Sequence, residues 1–229
     1  MGIFPQVRPF GDRACLVVMG GEISPEIHSR VMAFCRWASS HRLSGITDLL
    51  PSYSSLLIQF DPFLLSQEDV AEWARGFLES LCPDFQTEPT EKRVPVLYGG
   101  LYGPDLAHVA EHSRLTVEQV IRFHTSPAYR VYAIGGFPGL AAMGKVLPSI
   151  ETPRLTTPRT RVPPGSVAIA GKQTGIYAVE SPGGWQLIGR TPLRLFDPAR
   201  NPPSFFQAGD RVRFFAVTEE EFQSWRSAG

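Results

Sequence analysis

The sequence predicts a mixed α+β protein with a small N-terminal α/β domain (residues 1–90) and a C-terminal antiparallel β-barrel domain (residues 91–229). In the first part, helical apolar spacing alternates with strand-like runs. After Pro153 every apolar run is short and ends in turn residues. The charges divide at the same point: residues 1–90 carry 6 basic and 11 acidic side chains, and residues 91–229 carry 16 and 11. A chain of 229 residues is long enough for both domains.

Apolar spacing and capping residues define the elements of the first part. Ser24 followed by Pro25 predicts the start of a helix over 24–41, and Ser66 predicts the start of a second helix that ends near Leu81. Strands are predicted at 14–19, 46–50, 55–60 and 93–98. The resulting order β-α-β-β-α-β predicts a split βαβ, ferredoxin-like unit.

The second part begins with two short helices and continues as strands. Residues 105–112 form the first predicted helix. Thr116 and Gln119 are spaced as a capping box for a second helix that ends near His124. Strands are predicted at 129–134, 166–170, 175–179, 185–189 and 211–217. Several short strands separated by turn residues are typical of a closed barrel or a sandwich.

Composition excludes several classes of function. Lysine plus arginine equals aspartate plus glutamate at 22 each, so the chain has no charge pattern typical of nucleic-acid or membrane binding. No run reaches the roughly 18 apolar residues that span a bilayer, and the N-terminus does not resemble a signal peptide. Cys15, Cys35 and Cys82 form no CxxC pair, which indicates a reduced, cytoplasmic protein.

Two short motifs resemble known sites but are better explained otherwise. Residues 139–146 differ by one residue from a phosphate-binding P-loop, but Val146 lacks the Mg²⁺-binding hydroxyl and Pro148 stops the helix that should follow. A glycine-rich loop near a ligand is the preferred interpretation. His108 and His112 fall in an HxxEH pattern without a distant third ligand, so we predict surface histidines and no metal site.

The segment 152–192 carries the strongest indication of function. Arg154, Arg159 and Arg161 lie within eight positions between prolines that stiffen the backbone. A guanidinium pairs well with a carboxylate or a phosphate. We predict a polar wall for a small anionic or amide substrate, with Pro138 and Gly139 opposite it. Its members are Arg154, Arg159, Arg161, Gln173, Tyr177 and Arg190. His124, at a helix end, is the candidate general acid or base.

The same segment also resembles a known family. TPRTRVPPGSVAIAGKQTGIY and SPGGWQLIGRTPLRLFDP are similar to the allophanate hydrolase subunit 1 family, which includes the B subunit of 5-oxoprolinase and an inhibitor of sporulation kinase A. The resemblance extends to residues 11–14, 50–53 and 94–124. The chain departs from the family in loop 135–144, where Leu140 and Ala142 replace two aromatic residues.

The resemblance implies a cyclophilin-like C-terminal barrel and a subunit of an ATP-dependent 5-oxoprolinase-like amidohydrolase. This enzyme converts 5-oxo-L-proline to L-glutamate, and the subunit acts with subunits A and C. ATP would be used by the complex, and the chain alone is expected to be inactive. Two alternatives stay open: a protein inhibitor of a sensor histidine kinase, and a subunit of a urea carboxylase or allophanate hydrolase system.

Overall fold

A computed structural model of the chain describes residues 4–79 and 90–227. It divides into two units, residues 1–88 and 89–229. Cys82, the expected end of the second helix at Leu81 and the boundary between the units lie outside the described residues. No helix among the described residues is long and apolar enough to cross a bilayer.

The first unit is a four-stranded antiparallel sheet with two helices. Its elements are β1 (Gln6–Pro9), β2 (Ala14–Val18), α1 (Pro25–Ser40), β3 (Ile46–Ser52), β4 (Ser55–Phe60) and α2 (Gln67–Glu79). The strand order is β1-β2-β4-β3. As predicted, Ser24 caps α1, because its hydroxyl accepts a hydrogen bond from the Ile27 amide at 3.1 Å. The buried faces of both helices join the core above the sheet, where Phe34 and Phe77 stack at 4.6 Å.

The ferredoxin-like arrangement is not confirmed. The fourth strand of the first sheet is β1, which forms a hairpin with β2 and was not predicted. The strand predicted at 93–98 pairs with strands of the second unit instead. Prolines at positions 5 and 9 argue against a strand in this segment of the sequence, because proline within sheets is mostly confined to edge strands. β1 is the edge strand of the first sheet.

The second unit contains nine strands, three α-helices and one short 3₁₀ helix among its described residues. The strands are β5 (Glu91–Tyr98), β6 (Tyr129–Ile134), β7 (Ala141–Met143), β8 (Arg159–Val162), β9 (Ser166–Ala170), β10 (Gln173–Ile176), β11 (Ser181–Gly183), β12 (Gln186–Arg190) and β13 (Arg211–Ala216). The α-helices are α3 (Leu106–Ser113), α4 (Val117–Thr125) and α5 (Glu219–Ser227), and the 3₁₀ helix is Pro148–Ile150. The predicted capping box of Thr116 and Gln119 is confirmed at the start of α4.

Seven of these strands close into a barrel, in the order β6-β13-β5-β12-β9-β10-β7, with β7 pairing back to β6. The predicted barrel is therefore confirmed, but it is not antiparallel throughout. β13 runs parallel to β5 in the register Arg211 to Glu91. Parallel strands need a crossover connection, and residues 99–210, which include the other barrel strands, connect β5 to β13. β8 and β11 form a separate two-stranded ribbon.

The barrel interior is filled by apolar side chains and closed by α3 and α4. Val94, Val131, Val167 and Ile188 are fully buried in one cluster that also contains Val109 of α3. Val120 of α4 belongs to the same cluster. The interior is therefore a packed core rather than a channel, and a small-molecule site has to lie at the surface of this unit.

Candidate functional site

β12 separates two groups of arginines in the second unit. Trp185 directly precedes the strand and Arg190 ends it, a span of roughly 16 Å at 3.3 Å per residue. Arg154 and Arg159 gather beside Trp185, whereas Arg190 lines a cavity. Arg154 and Arg159 therefore lie apart from Arg190, with which they were predicted to form one wall.

The first group, here called the arginine–tryptophan cluster, consists of Arg154, Arg159, Tyr177 and Trp185. The guanidinium carbon of Arg154 lies 5.6 Å from the Trp185 ring centroid. Tyr177 meets Trp185 edge to face, with centroids 6.4 Å apart. Arg159 donates from Nη1 to the Trp185 carbonyl at 3.4 Å. Two cations and an indole thus meet beside the buried phenol of Tyr177, a combination suited to a polar ring or a carboxylate.

Asp105 neutralises one of these two cations. Arg159 Nη2 donates to Asp105 Oδ1 at 2.6 Å, and Asp105 Oδ2 accepts from the Leu187 amide at 2.6 Å. The Asp105 side chain is 13% exposed. The pair ties the start of α3 to β12 and β8, so Arg159 is a positioning residue here. Arg154 has no carboxylate partner among the described residues and remains available to a ligand.

Tyr177 lies close enough to both arginines for their charges to act on its hydroxyl. Burial raises the pKa of its hydroxyl, while a hydrogen bond from the Trp185 backbone and the charges of Arg154 and Arg159 act in the opposite direction. The hydroxyl sits against Gly183, where any Cβ would overlap it. Glycine at this position lets the phenol approach the β11 backbone, which explains why a turn-like SPGG sequence lies here.

Gln186 adds a buried amide next to Trp185. Its Nε2 donates to the Pro153 carbonyl at 2.8 Å, on the loop that carries Arg154. Its Oε1 is buried and has no hydrogen-bond partner among the described residues. Buried acceptors are normally satisfied, so this oxygen is a natural partner for a bound water or a ligand donor.

The loop around Pro138 and Gly139 supplies apolar contact to the same cluster. Pro138 is exposed, and Gly139 adopts φ +70° in the hairpin that joins β6 to β7. A Cβ at Gly139 would lie 2.8 Å from the Ala178 Cβ. Glycine is therefore required both by the positive φ angle and by this close contact. Leu140, one of the two residues that replace a family aromatic, packs in the cluster that contains Tyr177 and Trp185.

Arg161 does not join the cluster, and Gln173 lies at the opposite end of β10 from Tyr177. Gln173 begins β10 next to the 171–172 turn, four residues from Tyr177 and hence roughly 13 Å along the strand. Arg161 points outward with its side chain 76% exposed and forms a two-pronged pair with Glu180, at 3.0 Å and 2.9 Å. Neither residue lines the cavity at Arg190.

Arg190 lines a cavity of about 290 Å³ at the other end of β12. We call it the arginine pocket, and its charged members are Arg190, Arg194 and Arg226. The guanidinium carbon of Arg190 lies 5.3 Å from the Tyr102 ring centroid. Tyr102 in turn contacts Phe222 of α5, with centroids 4.9 Å apart. The pocket thus lies between the strand end, the 99–103 turn and the last helix.

His124 is fully buried in the barrel core, stacked on Phe214 at 4.6 Å. Its Nε2 lies 2.8 Å from Thr174 Oγ1, which itself donates to the Ala168 carbonyl. Nε2 must therefore be the donor, so Nδ1 is bare and accepts from the Tyr98 hydroxyl at 2.7 Å. Burial lowers the pKa of His124 to about 3. This arrangement holds a neutral imidazole in place and does not support proton transfer to a bound substrate.

The two short motifs fold as ordinary structure. Ala141–Met143, inside the segment that resembles a P-loop, forms β7, and no helix follows it within the described residues before the 3₁₀ turn at Pro148–Ile150. His108 and His112 are exposed on α3 with ring centroids 6.3 Å apart. No group of three potential metal ligands occurs among residues 4–79 and 90–227.

The sequence did not reveal which residues lie next to each arginine and determine whether it is paired. Asp105 looks like a helix cap in the sequence, yet its carboxylate makes no capping bond and serves Arg159 instead. Gln186 had a detectable signal, because it directly precedes the apolar pair Leu187 and Ile188 in a predicted strand, and the structure buries it with them. Arg194 and Arg226 had none, since a pocket between a loop and a distant helix leaves no local pattern.

Comparisons with known proteins agree with the resemblance seen in the sequence. The family model described as "Carboxyltransferase domain, subdomain C and D" matches residues 5–206. The B subunit of 5-oxoprolinase from Bacillus subtilis (strain 168) is 36% identical over 235 residues, which cover 96% of each chain. That of Haemophilus influenzae is 41% identical over 208 residues, covering 91% of this chain and 96% of that protein.

A solved structure shares the fold. The crystal structure of TTHA0988 matches 90% of this chain with a TM-score of 0.80 and 36% sequence identity. This chain spans 40% of the length of that chain.

Proposed function

This chain belongs to the carboxyltransferase domain, subdomain C and D, family, and from that premise we propose that it is the B subunit of an ATP-dependent 5-oxoprolinase. The complex would convert 5-oxo-L-proline to L-glutamate with subunits A and C, in the cytoplasm. One observation carries the proposal: the similarity to proteins named as the B subunit of 5-oxoprolinase extends over at least nine-tenths of both partners in two species. The chain alone would be inactive, and the complex would use ATP.

The fold proposals accompany this function. We propose that the two units are the domains expected at 1–90 and 91–229, and that the barrel is of the cyclophilin-like type. That likeness concerns the fold alone. The segment that resembles a P-loop forms a strand in this chain, so we propose no phosphate-binding loop at residues 139–146.

The arginine–tryptophan cluster is the proposed substrate wall. Arg154 would bind the carboxylate of 5-oxoproline through charge-assisted hydrogen bonds, because it is exposed and has no acidic partner in the described residues. The Trp185 ring holds the guanidinium from one side. Asp105 keeps Arg159 in place at the edge of the cluster. Gln186 Oε1, which has no partner among the described residues, can accept a hydrogen bond from the lactam N–H of the substrate or from a water molecule.

Reconstitution tests this proposal. The chain is co-expressed with candidate subunits A and C, and ATP-dependent release of glutamate from 5-oxoproline is measured. We expect turnover only when all three subunits are present. Arg154→Gln should lower kcat/KM by about tenfold or more, the usual effect of losing a charge-assisted contact. Arg161→Gln is the matched control, since it removes the same charge from an exposed position. Unchanged turnover in the Arg154 variant would remove the cluster from the site.

The name of the matching family favours a second candidate, a subunit of a urea carboxylase or allophanate hydrolase system. Substrate profiling separates the two: ATP-dependent turnover of urea or allophanate without turnover of 5-oxoproline supports the second candidate. Inhibition of a sensor histidine kinase is the third hypothesis. A pull-down with a kinase dimerisation domain, in the absence of any lactam turnover, would support it.

A further inference from the structure

We propose that the arginine pocket binds a small molecule through a phosphoryl group. This site lies away from the arginine–tryptophan cluster, and the proposal does not depend on the 5-oxoprolinase assignment. It follows from the charges around the cavity, from the bonding state of Arg190 and from the way in which the last helix closes the site.

The described residues that line the cavity include three cations and no carboxylate. Arg190, Arg194 and Arg226 face a volume of about 290 Å³, together with prolines, glycine and apolar side chains. Volumes near this size hold metabolite-sized ligands. Three guanidiniums around one cavity repel one another unless an anion lies between them. A phosphoryl group, with its double charge and several acceptor oxygens, matches three forks better than a single carboxylate does.

Arg190 is positioned by an aromatic ring, and its guanidinium has a buried nitrogen without a hydrogen-bond partner among the described residues. Tyr102 fixes the plane of its guanidinium from one face. Its Nε is buried and has no hydrogen-bond partner in the described chain. Burial lowers the pKa of Arg190, the Tyr102 contact opposes this, and the charge of Arg226 lowers it further. An anion in the pocket would satisfy the buried donor and remove the repulsion between the two arginines.

Of the other two arginines, Arg194 shares one carboxylate with another arginine, and Arg226 has no partner among the described residues. Arg194 lies 3.4 Å from the Asp197 carboxylate, which Arg200 also approaches at 3.5 Å, so one carboxylate is shared between two cations. Arg226 makes no hydrogen bond or ion pair with the described residues. It projects from α5 one turn after Phe222, the buried residue that anchors this helix. The last helix thus contributes a cation to the pocket.

Binding to the purified full chain tests the site without any enzymatic readout. Inorganic phosphate and pyrophosphate are titrated by calorimetry, with glutamate as a carboxylate probe. We expect saturable binding of pyrophosphate that weakens with salt, and weaker binding or none for glutamate. Arg226→Gln, which removes the cation that α5 contributes to the pocket, should reduce the affinity by about tenfold or more. Arg161→Gln should bind as the unmodified chain does.

Two further results would overturn the inference. One is binding of glutamate without binding of phosphate or pyrophosphate. The other is unchanged pyrophosphate affinity in both Arg226→Gln and Arg190→Lys. The lysine variant keeps the charge but loses the planar fork, so it tests recognition even if a neutral residue at position 190 disturbs folding. Thermal unfolding of each variant without ligand shows that the fold is retained.

Discussion

Two arginines with opposite bonding states lie near the two ends of β12. At one end, Arg159 is neutralised by Asp105 in a largely buried pair that also holds the Leu187 amide. At the other end, Arg190 has a ring beneath it, a second arginine nearby and a buried Nε without a partner in the described chain. Removing Arg159 would leave a buried carboxylate without its cation, whereas removing Arg190 would leave no carboxylate unpaired among the described residues.

The largest effect is expected where the pair is broken. Arg159→Met leaves the Asp105 carboxylate buried without its cation, so the free energy of unfolding should fall by about 3 kcal/mol. Urea unfolding at neutral pH measures it. The double variant that combines Arg159→Met with Asp105→Asn should recover part of the loss, because the unpaired charge is gone. A loss below about 1 kcal/mol would mean that Asp105 is already well solvated.

Acid should weaken the barrel through its buried histidine. Because the pKa of His124 is lowered to about 3, the folded state stays unprotonated in the range where the unfolded chain, with its ordinary value near 6.5, gains a proton. Stability from this residue is thus complete above pH 7 and falls as the pH decreases, by about 2 kcal/mol at pH 5. Urea unfolding at pH 7 and pH 5 measures the slope.

The control for this slope is a second histidine. His124→Gln should flatten the dependence between pH 7 and pH 5, while His112→Gln, at an exposed position on α3, should retain it. Equal slopes in the unmodified chain and in His124→Gln would show that another group governs acid unfolding.

At the unpaired end of β12 the expected effect on stability is small. Arg190→Met gives up the ring contact with Tyr102 but also removes a partly buried charge near Arg226, so the two changes offset each other. We expect a change within about 1 kcal/mol of zero. Urea unfolding measures it beside Arg159→Met. A loss as large as that of Arg159→Met would erase the distinction between the two ends.

The smallest effect is expected at the exposed pair. Arg161 and Glu180 are solvent-accessible, and such pairs contribute little because water and salt compete with them. Arg161→Gln should change the free energy of unfolding by about 0.5 kcal/mol or less. The same denaturant titration checks this, and a larger loss would show that the pair fixes the β8–β11 ribbon.

Local patterns predicted most of the elements, because caps and apolar spacing act within a few residues. Ser24, Thr116 and Gln119 therefore appeared in their predicted roles. Strand partners depend on distant segments, so the pairing of the 93–98 strand inside the barrel could not be predicted from spacing. The arginines were visible in the sequence, but their partners were not. Asp105 lies 54 positions before Arg159, and only the folded chain brings them together.

The parallel pair of β5 and β13 has a consequence for biosynthesis. Glu91 is matched to Arg211, so the first and last barrel strands meet across nearly the whole second unit. While the ribosome is still adding the residues between them, the edge of β5 that will pair with β13 has no partner strand. The apolar side chains beside this edge are then not yet covered by β13. Closure has to wait for the final strand to emerge, and contacts this remote in sequence form slowly.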